Sequence, residues 1–201
     1  MSNPIIMLAG LPGGGKSTVG AKLEERLKDY DLHSFLQVRR DLGHKRYRHK
    51  QNRNVFRELY RRTEESLKSG RGVILDNTYT TQGGRQPVYE IGKDYGVDVL
   101  VLECYCSEKE AKRRMRQRPA SDGLVVEPRD PKAYDKLAQR WQDISTDLDI
   151  PANQHISYLR YNTKTNDVQE MHVRDAVRPL VDSIRQIIIL VGKNTTQFLC
   201  R

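Results

Sequence analysis

The stretch Gly10-Leu11-Pro12-Gly13-Gly14-Gly15-Lys16-Ser17 decides how this chain folds. It fits G-x-x-x-x-G-K-[ST] at every position. Ahead of it stands the apolar run Ile5–Ala9, which reads as a buried strand. Behind it Val19, Leu23 and Leu27 recur at four-residue spacing and predict a helix over Lys16–Tyr30. A glycine-rich turn in that setting has a physical use. Without Cβ atoms, successive backbone N–H groups can turn inward and close on phosphate oxygens. The helix start adds a partial positive charge. Gly10, Pro12, Gly13, Gly14 and Gly15 are therefore expected to cradle a nucleoside triphosphate. Lys16 would reach its β- and γ-phosphates, Ser17 would ligate Mg²⁺ and Thr18 would meet the α-phosphate. ATP and Mg²⁺ are the expected cofactors.

Working outward, short apolar runs alternate with longer amphipathic stretches. Ser34–Val38, Gly72–Asp76, Val97–Tyr105 and His155–Tyr161 read as further strands. Asn52–Lys68 carries Phe56, Leu59, Tyr60, Thr63 and Leu67 on one stripe, and Gly84–Tyr95 ends at Gly96; both read as helices. Ser107, with Glu110 three residues on, caps a helix that Pro119 ends. Asp130-Pro131 opens another through Trp141, and Val173–Leu190 is the last. Strands alternating with helices predict an α/β fold of P-loop NTPase type. Its parallel sheet would carry helices on both faces, with a helical lid over about 107–130. Residues 1–191 would form a single domain, and 192–201 a tail. Ligands in such sheets lie beyond the carboxyl ends of the strands.

Composition narrows the choice. Of 201 residues 37% are hydrophobic, enough for a packed core, which argues against wholesale disorder. The longest apolar runs, such as Ile187–Val191, fall far short of a bilayer span, so no membrane partner is expected. No secretion signal is evident and three cysteines cannot all pair within the chain, which suits a cytoplasmic setting. The five histidines lack paired spacing with the cysteines, so a structural zinc site is not expected. The net charge is +9, and Arg39–Arg62 alone holds ten Lys/Arg against two acids, a surplus of eight. Within it Arg53, Arg57 and Arg61 form a ridge at i, i+4 and i+8. Such a block suits an anionic partner or a solvated helix face.

Candidate acceptor-side residues follow the strands. Asp41, in Arg39-Arg40-Asp41, is read as lying directly after the second strand, where a carboxylate could take the proton of an acceptor hydroxyl. Asp76-Asn77-Thr78 closes the third strand, and Asp76 would support the Mg²⁺ shell. Arg114 and Arg118 share a helix face and could neutralise charge on the transferring group.

The ordered set GLPGGGKST, RRD, GRGVILDNT and KRRMRQRP resembles the 5′-hydroxyl kinase domain of P-loop polynucleotide kinases, over about Pro4 to Trp141. The resemblance implies that Asp41 is the general base and that Arg40 lies near the acceptor. Asp76, Asn77, Thr78 and Arg85 would line the site, and Arg114 and Arg118 would serve as lid arginines beside Lys16. His44 stands where some relatives carry a basic residue three positions after the catalytic Asp. The length leaves no room for an attached phosphatase or ligase domain. Relatives also phosphorylate sugars and metabolites. The leading expectation is transfer of the ATP γ-phosphate to a nucleic-acid 5′-OH, with Tyr47, Tyr60, Tyr79 and Tyr89 available to stack on a terminal base. The alternatives are a small-molecule acceptor, such as a metabolite or nucleotide-sugar, and a nucleic-acid-binding ATPase switch.

Overall fold

A computed structural model describes residues 3–44, 49–118 and 129–194, the last five with backbone only. Strand β1 (Ile5–Ala9) runs into helix α1 (Lys16–Arg26), followed by β2 (Tyr30–Ser34), α2 (Phe35–Asp41) and α3 (Asn52–Lys68). Next come β3 (Gly72–Asp76), α4 (Gln82–Asp94), β4 (Val99–Tyr105) and α5 (Glu108–Arg116). The chain continues through α6 (Lys132–Ala138), α7 (Ser145–Leu148), β5 (Ile156–Asn162), β6 (Asp167–His172) and α8 (Arg178–Asn194). Tyr47, most of the proposed lid loop and the end of the tail lie outside the described residues.

The sheet order is β2-β3-β1-β4-β5-β6. The first five strands are parallel and β6 is antiparallel on β5. Alternation along β1 splits the core in two. Ile5, Met7 and Ala9 pack with Phe35, Val38, Val55, Leu59, Val88 and Tyr89 of α2, α3 and α4. Ile6 and Leu8 pack with Val19 and Leu23 of α1 and Val181 and Ile184 of α8. Both faces are thus covered by helices, as the strand–helix alternation predicts. No helix among the described residues is long and apolar enough to cross a membrane.

Two readings need correction. The second strand is Tyr30–Ser34, paired residue for residue with Gly72–Asp76, and Phe35 opens a helix. Phe35 and Val38 sit three apart because they share the buried face of α2. In a window of five residues an edge strand and a helix entry look alike, and Ser34, extended at φ −95°, is the cap between them. The polar, mostly exposed β6 is a strand that hydrophobic patterning does not mark. It is held by backbone pairing to β5 rather than by side-chain burial.

Candidate active site

The glycine-rich turn hangs between β1 and α1 at the point where the strand order reverses, between β3 and β4. Its glycines are steric necessities. A Cβ on Gly10 (φ +138°) would lie 2.2 Å from the Cys104 carbonyl oxygen, and one on Gly13 (φ +80°) 2.4 Å from that of Ala111. The loop therefore packs backbone against backbone on β4 and α5. The Gly10 N–H itself donates to the Thr78 carbonyl at 3.0 Å, tying the loop to the end of β3. Pro12 is buried within the turn. The Lys16 ammonium is buried and folded back onto the loop, donating to the carbonyls of Gly10 at 2.8 Å and Leu11 at 3.1 Å. Ser17 and Thr18 are exposed at the helix start.

In front of the loop lies a cavity of about 440 Å³, lined by Gly13, Gly15, Lys16, Ser17 and Thr18 together with Arg114 and Arg118. The loop and the α5 arginines, more than ninety positions apart in sequence, thus face one space. Arg114 is tethered. Arg114 donates to Glu110 at 2.7 Å, to Thr163 Oγ1 at 2.8 Å and to the Thr163 carbonyl at 3.2 Å. Thr163 in turn donates to the Gly14 carbonyl at 2.8 Å, so it joins α5, the loop and the sheet. Glu110 is held down to about 2, chiefly by the hydrogen bond from Arg113 and, against the opposing effect of burial, by that from Arg114. Lys22, Tyr161, Thr163 and Asn166 also line this cavity and were not singled out from sequence. The readable signal was Asn162-Thr-Lys-Thr-Asn166, a polar turn directly after an apolar strand.

On the acceptor side Asp76 is buried at the carboxyl end of β3, beside β1, and Asn77 and Thr78 are half-buried after it. Ser17 and Asp76 offer a hydroxyl and a carboxylate, hard oxygen donors of the kind Mg²⁺ takes alongside substrate phosphates. These donor types and the glycine-rich loop suit a magnesium–nucleotide complex; Ser17 lines the cavity, and Asp76 is not among its lining residues.

The other acceptor candidates are placed differently. Asp41 does not follow a strand: α2 carries it about 10 Å beyond the end of β2. There its exposed carboxylate accepts from Arg62 at 2.6 Å and from Gln37 at 2.8 Å. The Arg62 hydrogen bond leads in holding its pKa below the ordinary value. Arg40 is exposed beside it, and His44 is half-buried past the helix end. Arg85 is fully buried, not open to an acceptor. It pairs with Asp147 at 2.5 and 2.9 Å and donates to the carbonyls of Tyr79 and Gln142, each at 3.1 Å. Tyr79 and Tyr89 are likewise buried and Tyr60 is half-buried, packed on Phe56. The Tyr89 hydroxyl donates to Asp147 at 2.7 Å. These aromatic rings are core, since each packs into the cluster beneath α3 and α4.

A family model for an AAA domain matches residues 5–139. No curated protein matches the chain at a significant level. Kti12 of Chaetomium thermophilum, in complex with ADP-AlF3, is 20% identical, with 94% of this chain and 98% of that one covered and a TM-score of 0.59. A Chloroflexus aurantiacus protein assigned as a kinase is 14% identical over 96% of this chain and 98% of that one, with a TM-score of 0.64. A chain of the Pnkp1/Rnl/Hen1 RNA repair complex is 15% identical and has a TM-score of 0.61. It covers 87% of this chain, which spans 50% of that one. At these identities the likeness is one of fold.

Proposed function

Because the chain belongs to this AAA-domain family of P-loop kinases, we propose that it moves the γ-phosphate of ATP onto a hydroxyl at the end of a polynucleotide, a 5′-OH foremost. The observation that carries transfer, rather than a conformational switch, is the shared cavity. Arg114 and Arg118 face the space that Lys16 and Ser17 enclose, so charge developing on a transferring phosphoryl group would meet cations on two sides. Lys16 exchanges its contacts with Gly10 and Leu11 for phosphate oxygens. Arg114, steered by Thr163, holds the outer side. Ser17 and Asp76 would hold Mg²⁺, which when bound supplies charge neutralisation between the phosphates. The acceptor oxygen forms its bond to the γ-phosphorus as the bridging bond breaks onto ADP, and the hydroxyl proton passes to water.

A polynucleotide is favoured by the arginines that remain free. On α3 Arg61 is neutralised by Glu58 at 2.8 Å and by Glu65, and Arg62 by Asp41 and Glu58. Arg53 and Arg57 are exposed and have no partner among the described residues. The RNA repair neighbour accords with that reading. The test is γ-labelled ATP with 5′-OH RNA, 5′-OH DNA, transfer RNA and a metabolite panel. Label on oligonucleotide ends is expected, and label on small molecules alone overturns the polynucleotide acceptor. The double change R53E/R57E should raise the KM for oligonucleotide and flatten its salt dependence by roughly 0.7 per lost phosphate contact. The KM for ATP should stay unchanged.

The displaced Asp41 makes its own prediction. Its premise as general base was a position directly after β2, and it does not stand there. Asp41→Asn is expected to lower kcat by less than about twofold and to cost at most about 1 kcal/mol of stability for a partly exposed pair. A thousandfold loss of kcat with unchanged ATP affinity would return the base role to Asp41.

A second reading, a small-molecule acceptor, is favoured by one observation: a recess beside the loop holds only about 100 Å³. The metabolite arm of the same assay decides it.

A further inference from the structure

That recess lies on the sheet face that carries α2, α3 and α4, since Glu103 alternates with Val99 and Val101 of that core. Its walls include Gly10 and Leu11 of the loop, Glu103 at the carboxyl end of β4, and two aromatic side chains, Tyr134 of α6 and Trp141 just after it. The Lys16 ammonium rests on the carbonyls of the same Gly10 and Leu11. The recess thus adjoins the carbonyls on which Lys16 rests, beside the cavity proposed for the phosphates.

Glu103 is an unusual residue for the end of an inner strand. Its side chain is 9% exposed. One oxygen, Oε2, is committed: Arg160 Nε donates to it at 2.9 Å and the Tyr158 hydroxyl donates to it as well. Arg160 is itself fixed over the Tyr105 ring at 4.6 Å. The other oxygen, Oε1, has no partner among the described residues, while the side chain lines the recess. A carboxylate held rigidly by one oxygen, with the second open and unpartnered at a residue that lines the recess, can accept a hydrogen bond from a ligand there. It disfavours an anionic group there. Trp141 and Tyr134 supply apolar surface beside it, and the volume is on the scale of several waters or one small ring. Apolar surface for the C–H side of a ring and a carboxylate for its hydroxyls are together the chemistry of sugar recognition.

We propose that this recess binds the sugar ring at the acceptor's reacting end, with Glu103 Oε1 accepting a hydrogen bond from a ring hydroxyl. The proposal rests on the phosphotransferase reading and sharpens it. A ribose offers a 2′-hydroxyl that deoxyribose lacks, so Glu103 is a specificity residue favouring ribo over deoxyribo ends. Free sugars share the chemistry, and the experiment separates the two sources.

Binding is measured with a non-hydrolysable ATP analogue present, so that no transfer is needed. The probes are a 5′-OH oligoribonucleotide, the matching oligodeoxyribonucleotide and free ribose. Wild type should bind the ribo form about tenfold tighter, as expected for one hydrogen bond to a charged acceptor. Glu103→Gln, close to isosteric, should erase most of that preference while leaving analogue affinity and melting temperature near wild type. Should that variant fail to fold, Trp141→Ala replaces it, with weaker ribo binding expected. Equal ribo and deoxyribo binding by wild type, with no ribose binding, overturns the proposal. So does a ribo preference that survives Glu103→Gln or, in its place, ribo binding that Trp141→Ala leaves unweakened. Ribose binding that depends on Glu103, without discrimination between oligonucleotides, assigns the recess to free sugars. Selective binding with no transfer to any acceptor would instead sink the kinase reading and leave the pocket standing.

Discussion

Lys16→Ala is expected to lower phosphoryl transfer by about 10²–10³-fold for every acceptor, the loss typical of one preorganised charge-stabilising donor. The reason lies in where the ammonium stands. It is buried among backbone carbonyls of its own loop, within reach of the cavity shared with Arg114 and Arg118. Alanine leaves those carbonyls in place and removes the only side chain of the loop that carries positive charge. The fold should survive, because the glycine contacts on Cys104 and Ala111 that seat the loop do not involve Lys16. Single-turnover transfer of labelled phosphate, run beside a thermal melt, checks both halves. Near-normal transfer by a folded Lys16→Ala protein would show that the cavity is not where the phosphoryl group moves.

Asp147→Ala should cost about 3–5 kcal/mol of stability, the usual penalty for stripping one partner from a buried ion pair. For a chain of this length that corresponds to a fall of roughly 10 °C in melting temperature. Both side chains of the Arg85–Asp147 pair are completely inaccessible, and Tyr89 and the carbonyls of Tyr79 and Gln142 complete the network. The network pins α7 and the segment before it to α4, which is the wall that carries Trp141. If Arg85 met the acceptor, Arg85→Met would raise the acceptor KM with the melting temperature unchanged. The buried pair predicts the reverse order of effects: a large loss of stability first, and loss of transfer only as the wall loosens. Replacing both partners by apolar residues of similar volume should recover much of the stability, since no charge is then left unpaired.

The same two residues show how far sequence reading reaches. The position of Lys16 was legible because its motif is local: glycines, lysine and serine stand within eight consecutive residues, and the strand before and helix after them are marked by their own periodicity. The cap at Ser107 is local in the same way, accepting from the Glu110 N–H as its spacing predicts. Arg85 was not legible, because whether an arginine meets solvent or an aspartate 62 positions away is settled only by packing. The placement of Asp41 changed through a shift of four residues in one strand, which moved it from directly after β2 to the far end of α2. Glu103 read only as part of an apolar strand; its partners Tyr158 and Arg160 come from the neighbouring strand, fifty-odd positions on.

By itself the sequence determined the parallel α/β architecture, the place of the glycine-rich loop within it and the basic block over Arg39–Arg62. Each of these rests on residues close together in the chain, where spacing alone sets geometry. Only the tertiary structure decided which arginines are anchors and which are free, that Thr163 ties α5 to the loop, and that Glu103 lines a recess beside Gly10 and Leu11. Those outcomes depend on which strands become neighbours and on which face each side chain falls, and no local rule carries that information.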